Sequence, residues 1–305
     1  MMRKHYQIVE RKLVEKPSDQ SPITIFANPD ESERKYLVED LKIDEHTLSS
    51  SLDPDELSRL EFEPEHVAMI FKRPKNYSGA DQFFFKVSSA GAFLFKDRLI
   101  IVISEDVPLL DSAQMNRIHS LHDLILKLIA RSIIHFREHL KVISMISDEL
   151  QKEINTAMGN KQLINMFTLQ KSLVYYVNSI NSNGVLLEKL KNNAAKIGFT
   201  PEEIEVLDDI LIENGQCYKE ADIYSSILAS LMDARASIVS NNLNVLMKTL
   251  NIITICIMVP TLVVSAFSMN VGIPLAKRAH AFEIIIGLAI LSVISFMLFW
   301  RIRKW

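Results

Sequence analysis

Along the last quarter of the chain, side chains recur at alternating intervals of four and three residues: Asp233, Ser237, Ser240, Asn244, Met247, Asn251, Thr254, Met258, Thr261, Ser265 and Ser268. Helical periodicity places all of them on one face. The conventional polar side chains within the apolar run there, Asn251, Thr254, Thr261 and Ser265, all lie on this row, beside apolar Ile252, Ile255, Val259 and Leu262. Polar groups in such surroundings must face protein or water. The row therefore serves either a hydrogen-bonded helix seam or a water-filled axis. Asparagine and methionine, rather than only small residues, favour the axis, as does the persistence of the row into polar sequence, where an ideal helix drifts about 20° per heptad unless bundled.

Two other groupings could do chemistry. His135-Phe136-Arg137-Glu138-His139 has the H-x-x-E-H spacing of some zinc peptidases, with both histidines on one helix face. No third ligand is evident; Arg137, His139 and Lys141 read as a solvated face, and the match reads as coincidence. His119 and His122 nearby leave room for a regulatory zinc site. Asp208 and Asp209 could pair across subunits around a cation that quiets their repulsion, or form a plain acidic face. The eight glycines make no phosphate-binding loop and no nucleophile elbow appears. ATP-driven transport, a nucleotide partner, a prosthetic group and enzymatic activity are not expected.

The elements that must position these residues divide the chain. Its 305 residues carry a net charge of −3, which argues against a nucleic-acid partner. Charge concentrates before Leu250 and apolar residues after it. Cys217 and Cys256 suffice for neither a disulfide framework nor a thiolate metal site. No apolar stretch follows Met1-Met2-Arg3-Lys4, so no secretory signal is read there and the polar part is expected in the cytosol.

Prolines at 17, 22, 29, 54, 64, 74 and 108 break up the first third. Short β-branched or aromatic runs there predict strands at Tyr6 to Leu13, Ile23 to Ala27, Val67 to Phe71, Phe83 to Val87, Ala92 to Phe95 and Leu99 to Ile103. Helical patches at Ser32 to Leu41 and Asp53 to Leu60 make residues 1–110 an α/β or α+β domain. Residues 111–199 read as two long helices, with Gly159-Asn160 and Asn181-Ser182-Asn183-Gly184 as interruptions. A third helix starts at Thr200-Pro201-Glu202-Glu203, which offers a cap, a first-turn proline and early acids. If continuous from Pro201 to Phe267, it is about 100 Å long at 1.5 Å per residue, with residues 200–249 as a stalk.

Leu250 to Phe267 has 18 residues without a charge and Ile284 to Trp300 has 17, each near the length that spans a bilayer. The alternative is a hairpin buried in a soluble core. A spanning hairpin at 250–270 and 284–300 leaves 271–283 as an external loop and 301–305 as a basic cytosolic tail. Arg301, Arg303, Lys304 and Lys248 place both ends inside. Two spans cannot enclose a conduit, so a pore requires a symmetric homo-oligomer.

Ser240-Asn241-Asn242-Leu243-Asn244-Val245-Leu246-Met247-Lys248, then Met258 and Pro260, then Phe267-Ser268-Met269-Asn270, resemble the CorA family of divalent-cation channels, whose signature there is Tyr-Gly-Met-Asn. The resemblance covers essentially the whole chain and implies an α/β cytosolic domain, a long α-helical stalk and a C-terminal two-helix transmembrane hairpin in a homopentamer of the inner or plasma membrane. It implies that Asn270, Met269 and Ser268 form the outer ring that receives hydrated magnesium. Asn244, Asn251, Thr254, Thr261 and Ser265 would line the pore, Met247, Leu250 and Met258 its hydrophobic gate, and Asp233 its cytosolic mouth. Asp208 and Asp209 would hold regulatory magnesium. Ser268 and Phe267 depart from the signature glycine and tyrosine, and no acid follows Pro274 in the loop. Asn270-Val271-Gly272 with Ile273-Pro274 also resembles the related ZntB zinc transporters. The expected function is magnesium uptake, with cobalt and nickel as surrogates; zinc transport and a membrane-anchored sensor or scaffold are the alternatives.

Overall fold

A computed structural model describes residues 3–16, 21–78, 83–107, 117–153, 160–269, 272 and 280–303. Two compact units divide the chain, Met1–Met232 and Asp233–Trp305.

The first unit is built on a seven-stranded sheet of β1 (Arg3–Val9), β2 (Lys12–Glu15), β3 (Ile23–Ala27), β4 (Arg59–Phe62), β5 (His66–Pro74), β6 (Val87–Phe95) and β7 (Leu99–Ile103), in the order β2-β1-β3-β7-β6-β5-β4. Only β3 and β7 pair in parallel. Residues alternate across the sheet as the pleat demands. Ile23, Ile25, Leu99, Ile101 and Ile103 face one core, and Phe26, Ile100 and Val102 face the other. The second core is closed by the π-helical turn at Tyr36–Asp40, which continues α1 (Glu31–Lys35), and by α2 (Glu45–Leu52). Asp30 and Asp44 accept from the backbone N–H groups of Glu33 and Thr47, fixing both helix starts. The opposite face is covered by α3 (Leu121–Glu153) and α4 (Asn160–Asn192), followed by the short α5 (Ala194–Ile197). The result is a three-layer α/β/α unit.

Helix α6 (Pro201–Phe267) starts on a reciprocal cap: Thr200 Oγ1 accepts from Glu203 N–H at 3.2 Å, and Glu203 Oε2 accepts from Thr200 N–H at 2.9 Å. Up to Met232 it belongs to the first unit, where Leu207, Ile210, Asn214, Cys217, Ala221 and Leu228 are buried at helical spacing. The rest of α6 and α7 (Ala281–Arg303) form the second unit.

Four sequence expectations are corrected. Tyr6 to Leu13 is a hairpin, because Glu10 and Arg11 take positive φ (48° and 63°) and reverse the chain without the glycine or asparagine that usually signals such a turn. Phe83 to Lys86 precede β6 rather than forming a strand.

Asp53 to Leu60 is not helical. Pro54 follows α2, the Pro54 carbonyl accepts from Lys72 Nζ at 2.8 Å, and Arg59–Phe62 is drawn into pairing with β5. Asn181 to Gly184 does not interrupt a helix but lies inside α4. Asn183, fully buried, uses its amide like a strand: Oδ1 accepts from Lys72 N–H at 2.7 Å and from Ser58 Oγ at 2.8 Å, while Nδ2 donates to the Lys72 carbonyl at 2.8 Å. Ser182 Oγ accepts from Ser58 N–H. The tertiary partners outweigh the turn preference of these residues. Gly184 stays bare because a Cβ there would stand 3.0 Å from Asn214 Nδ2 on α6. Of the other interruption, Gly159 lies outside the described residues and Asn160 begins α4.

Replacing Asn183 with alanine strands the Lys72 N–H and carbonyl inside the protein. Thermal unfolding of the full chain in detergent should show a loss of about 1–3 kcal/mol.

Candidate functional site

Between Ala236 and Asn251 every residue of α6 is exposed within the single chain, including Ile238, Val239, Leu243, Leu246, Met247 and Leu250. Apolar side chains so placed need a partner helix or lipid. Beyond them, α6 and α7 each contain a window long and apolar enough to cross a membrane.

Within the apolar run the two sides of α6 differ. Ile252, Cys256, Val259, Pro260, Val263 and Phe267 are half-buried. Leu262, Val263, Ala266 and Phe267 line a cleft with Leu288, Leu291, Ser292 and Ser295 of α7. Asn251, Thr254, Met258, Thr261, Ser265 and Ser268 project from the opposite side at 3.6 residues per turn, and all are exposed. The row read from spacing is thus the face that α7 leaves uncovered. Asp233, Asn244, Met247 and Leu250 are exposed as well. Arg235, two residues after Asp233, is buried.

The hydroxyls have a definite polarity. Thr254 Oγ1 donates to the Leu250 carbonyl at 2.8 Å, Thr261 Oγ1 to Ile257 at 2.6 Å, Ser268 Oγ to Ser265 at 2.9 Å and Ser237 Oγ to Asp233 at 3.1 Å. With their protons committed to the helix, these oxygens keep lone pairs to offer. Pro260, inside α6, has no N–H for the Cys256 carbonyl one turn back. Cys256 lines a side cleft with Thr261, Ser265 and Ser268. Its carbonyl is left without the usual helical N–H, and the proline in an uncharged run was the signal. A line of acceptors suits cations and water protons and repels anions.

Ser268 follows the last turn of α6 and is not among the non-glycine residues with positive φ, so its Cβ sits there without backbone strain. Met269 is exposed. Asn270 and the loop residues Val271, Ile273, Pro274, Lys277 and Arg278 lie outside the described residues.

Within the single chain the other groupings have other partners. Asp208 pairs with Lys191 at 2.8 Å and Asp209 is exposed beside it. His122 Nε2 meets the Ile197 carbonyl at 3.1 Å, and among the described residues no three His, Cys, Asp or Glu side chains are grouped to hold a metal ion. His139 is not on a solvated face. It is buried, with Nδ1 at 2.7 Å from Tyr176 Oη and its ring 4.4 Å from that of His135. The two-sided apolarity of α3, which packs between sheet and helices, placed it inside.

The chain matches the family described as CorA-like Mg2+ transporter protein over residues 23–304. It belongs to the CorA family. The cobalt/magnesium transport protein CorA of Methanocaldococcus jannaschii is 23% identical over 296 residues, 91% of this chain and 89% of that protein. The complete structure of the CorA magnesium transporter from that organism aligns with a TM-score of 0.82 at 22% identity, covering 98% of this chain and 96% of the other. The ZntB cytoplasmic domain from Vibrio parahaemolyticus aligns with a TM-score of 0.60 at 13% identity, over 78% of this chain and 98% of that domain. At such identities the structural likenesses establish the fold. Membership in the CorA family makes this a membrane protein of a divalent-cation transporter group, with the α/β domain, long helix and two terminal apolar helices expected of it.

Two outcomes follow for this CorA-family chain. Burial first, then the neighbouring cations, pushes His135 down to about 4, and burial with His135 does the same for His139. The unfolded histidines take up protons near pH 6.5 and the folded ones do not, so stability is lost as pH falls from about 6.5 to 4. Urea midpoints at pH 7.5 and 5 should differ in that sense, and His139→Gln should narrow the gap. In a Cys256→Ser background, cysteines at Thr254 and Thr261 should react with a water-soluble thiol reagent in membranes, while cysteines at Ile252 and Val263 stay inert. Equal reactivity would remove the water-facing role of the row.

Proposed function

We propose that this chain assembles as a homopentamer around the acceptor face of α6 and conducts hydrated divalent cations inward, magnesium first with cobalt and nickel as surrogates, driven by the membrane potential. The single observation carrying this is the row of acceptors, interrupted only by Met247 and Met258, on the side of α6 turned away from α7. One chain supplies two apolar helices and one polar face, and cyclic symmetry turns that face into a closed conduit. The relative from Methanocaldococcus jannaschii bears the name of a cobalt/magnesium transport protein, and this chain is proposed to share that substrate class.

The ion keeps most of its water, because magnesium dehydrates reluctantly. Oxygens at Asn251, Thr254, Thr261 and Ser265 accept hydrogen bonds from the hydration shell. Asn270, Met269 and Ser268 receive the ion at the outer end. Met247, Leu250 and Met258 make a constriction that closes by losing its water, and Asp233 concentrates cations at the cytosolic mouth. Asp208, already neutralised by Lys191, leaves the exposed Asp209 to meet a regulatory cation. The basic residues Lys248, Arg301, Arg303 and Lys304 keep both termini cytoplasmic.

Zinc transport is the second reading, favoured by Ser268 in the signature position, by a loop without an acid after Pro274, and by the ZntB-like soluble fold. A scaffold anchored by the hairpin gives no reason for a polar row through lipid.

Asn270→Ala should abolish magnesium uptake in a transporter-deficient cell, and normal uptake by that variant would sink the pore assignment. Reconstituted in liposomes, the chain should pass magnesium without a proton gradient; zinc flux that needs one would select the second reading.

A further inference from the structure

Two clefts adjoin beside the end of β5, both in the first unit. One is about 260 Å3 and is lined by Arg73, Asn76, Leu128, Arg131, Ser132 and His135. Its neighbour is about 270 Å3 and presents Lys75, Tyr77, Phe84, Lys86 and Glu105, sharing Asn76 and Val107 with the first. None of these residues belongs to the acceptor row of α6.

Cationic side chains gather at the clefts. Arg73, Lys75, Lys86 and Arg131 line them. Glu105 pairs with Arg73 at 3.0 Å and Lys75 at 3.6 Å, and Glu138 reaches Arg131 at 3.6 Å. Among the described residues Arg73 and Lys75 thus share one carboxylate. The Arg73 side chain is only 5% exposed, yet its Nε–H has no hydrogen-bond partner among the described residues. Buried donors are rarely left so. His135 registers the same potential: burial first, then Arg131 and Arg73, hold its imidazole neutral by pushing its pKa down to about 4.

We propose that this pair of clefts is a binding site for a small phosphate-bearing anion, held between Arg73 of β5 and Arg131 of α3. Guanidinium groups present N–H donors that match the oxygens of a phosphoryl group, among them the Arg73 Nε–H that no described residue meets. The Asn76 amide and the neutral His135 ring supply further donors. The adjoining cleft adds a flat aromatic wall: Tyr77 lies on Phe85 at 4.3 Å and 9°, and Phe84 stands beside it. The anion is thus either free phosphate in the arginine cleft or the phosphate end of a nucleotide whose base meets Tyr77 and Phe84. In both cases occupancy ties the sheet to the helical layer.

The test is calorimetric titration of the full chain in detergent, without magnesium and at constant chloride-balanced ionic strength, with inorganic phosphate and separately with ADP. Saturable binding at a dissociation constant on the order of 1 mM or below is expected, weakened at least roughly tenfold in Arg131→Gln and only partly restored in Arg131→Lys, which keeps the charge but not the paired donors. Lys75→Gln, also on a partly exposed side chain, serves as the second variant if Arg131→Gln melts below wild type. ADP binding at least roughly tenfold tighter than phosphate assigns a nucleotide, and equal affinities assign the free anion. No saturation by either probe, or unchanged affinity in both glutamine variants, overturns the site.

Discussion

A hydroxyl or amide in hydrocarbon costs free energy until it meets another polar group or water. Asn251, Thr254, Thr261 and Ser265 impose that demand on α6, and α7 stands on the other side of the helix. The threonines settle part of it by donating to their own helix. That leaves their oxygens acceptor-only, so what completes them must bring protons or positive charge. Neither lipid nor α7 does. The proposed assembly of further copies of the chain around this face answers that imbalance.

The first unit answers the opposite problem, in which polar groups are buried among apolar layers. Its sheet is covered on both faces, and the buried polar residues that join its layers bond to one another across long stretches of chain. Lys72 gives its ammonium to the Pro54 carbonyl and Ser89, and Ser89 in turn donates to the Asp53 carbonyl. Ser172 receives the Phe85 N–H, and His139 meets Tyr176. These bonds give the turn at Asp53–Ser58 its shape and pin α4 to the sheet. Burial pushes the Lys72 ammonium down to about 8, the cost of using a cation as a structural donor.

What could be read in the residues depended on whether one element or several decided them. Ile23–Ala27 and Leu99–Ile103 were legible because strands buried on both faces are apolar almost throughout, Thr24 excepted. The acceptor row was legible because one helix carries it, and a helix keeps phase with its own sequence. The Glu10-Arg11 turn was not, since residues with no such preference adopt positive φ there. Pro54 and the Asn181–Gly184 stretch misled because bonds to β5 and β6 override local preference. His139 was assigned to the surface for the same reason: its face of α3 is buried by elements far along the chain.

Asn183 has a consequence for assembly. Beyond Ile70, the bonding positions of β5 on the β4 side fall at Lys72 and Pro74. Asn183 occupies the first, and the second has no N–H to give. A strand from a neighbouring molecule therefore finds no ladder to extend at that border. Chains crowded together in a membrane at high local concentration are spared one competing way of sticking.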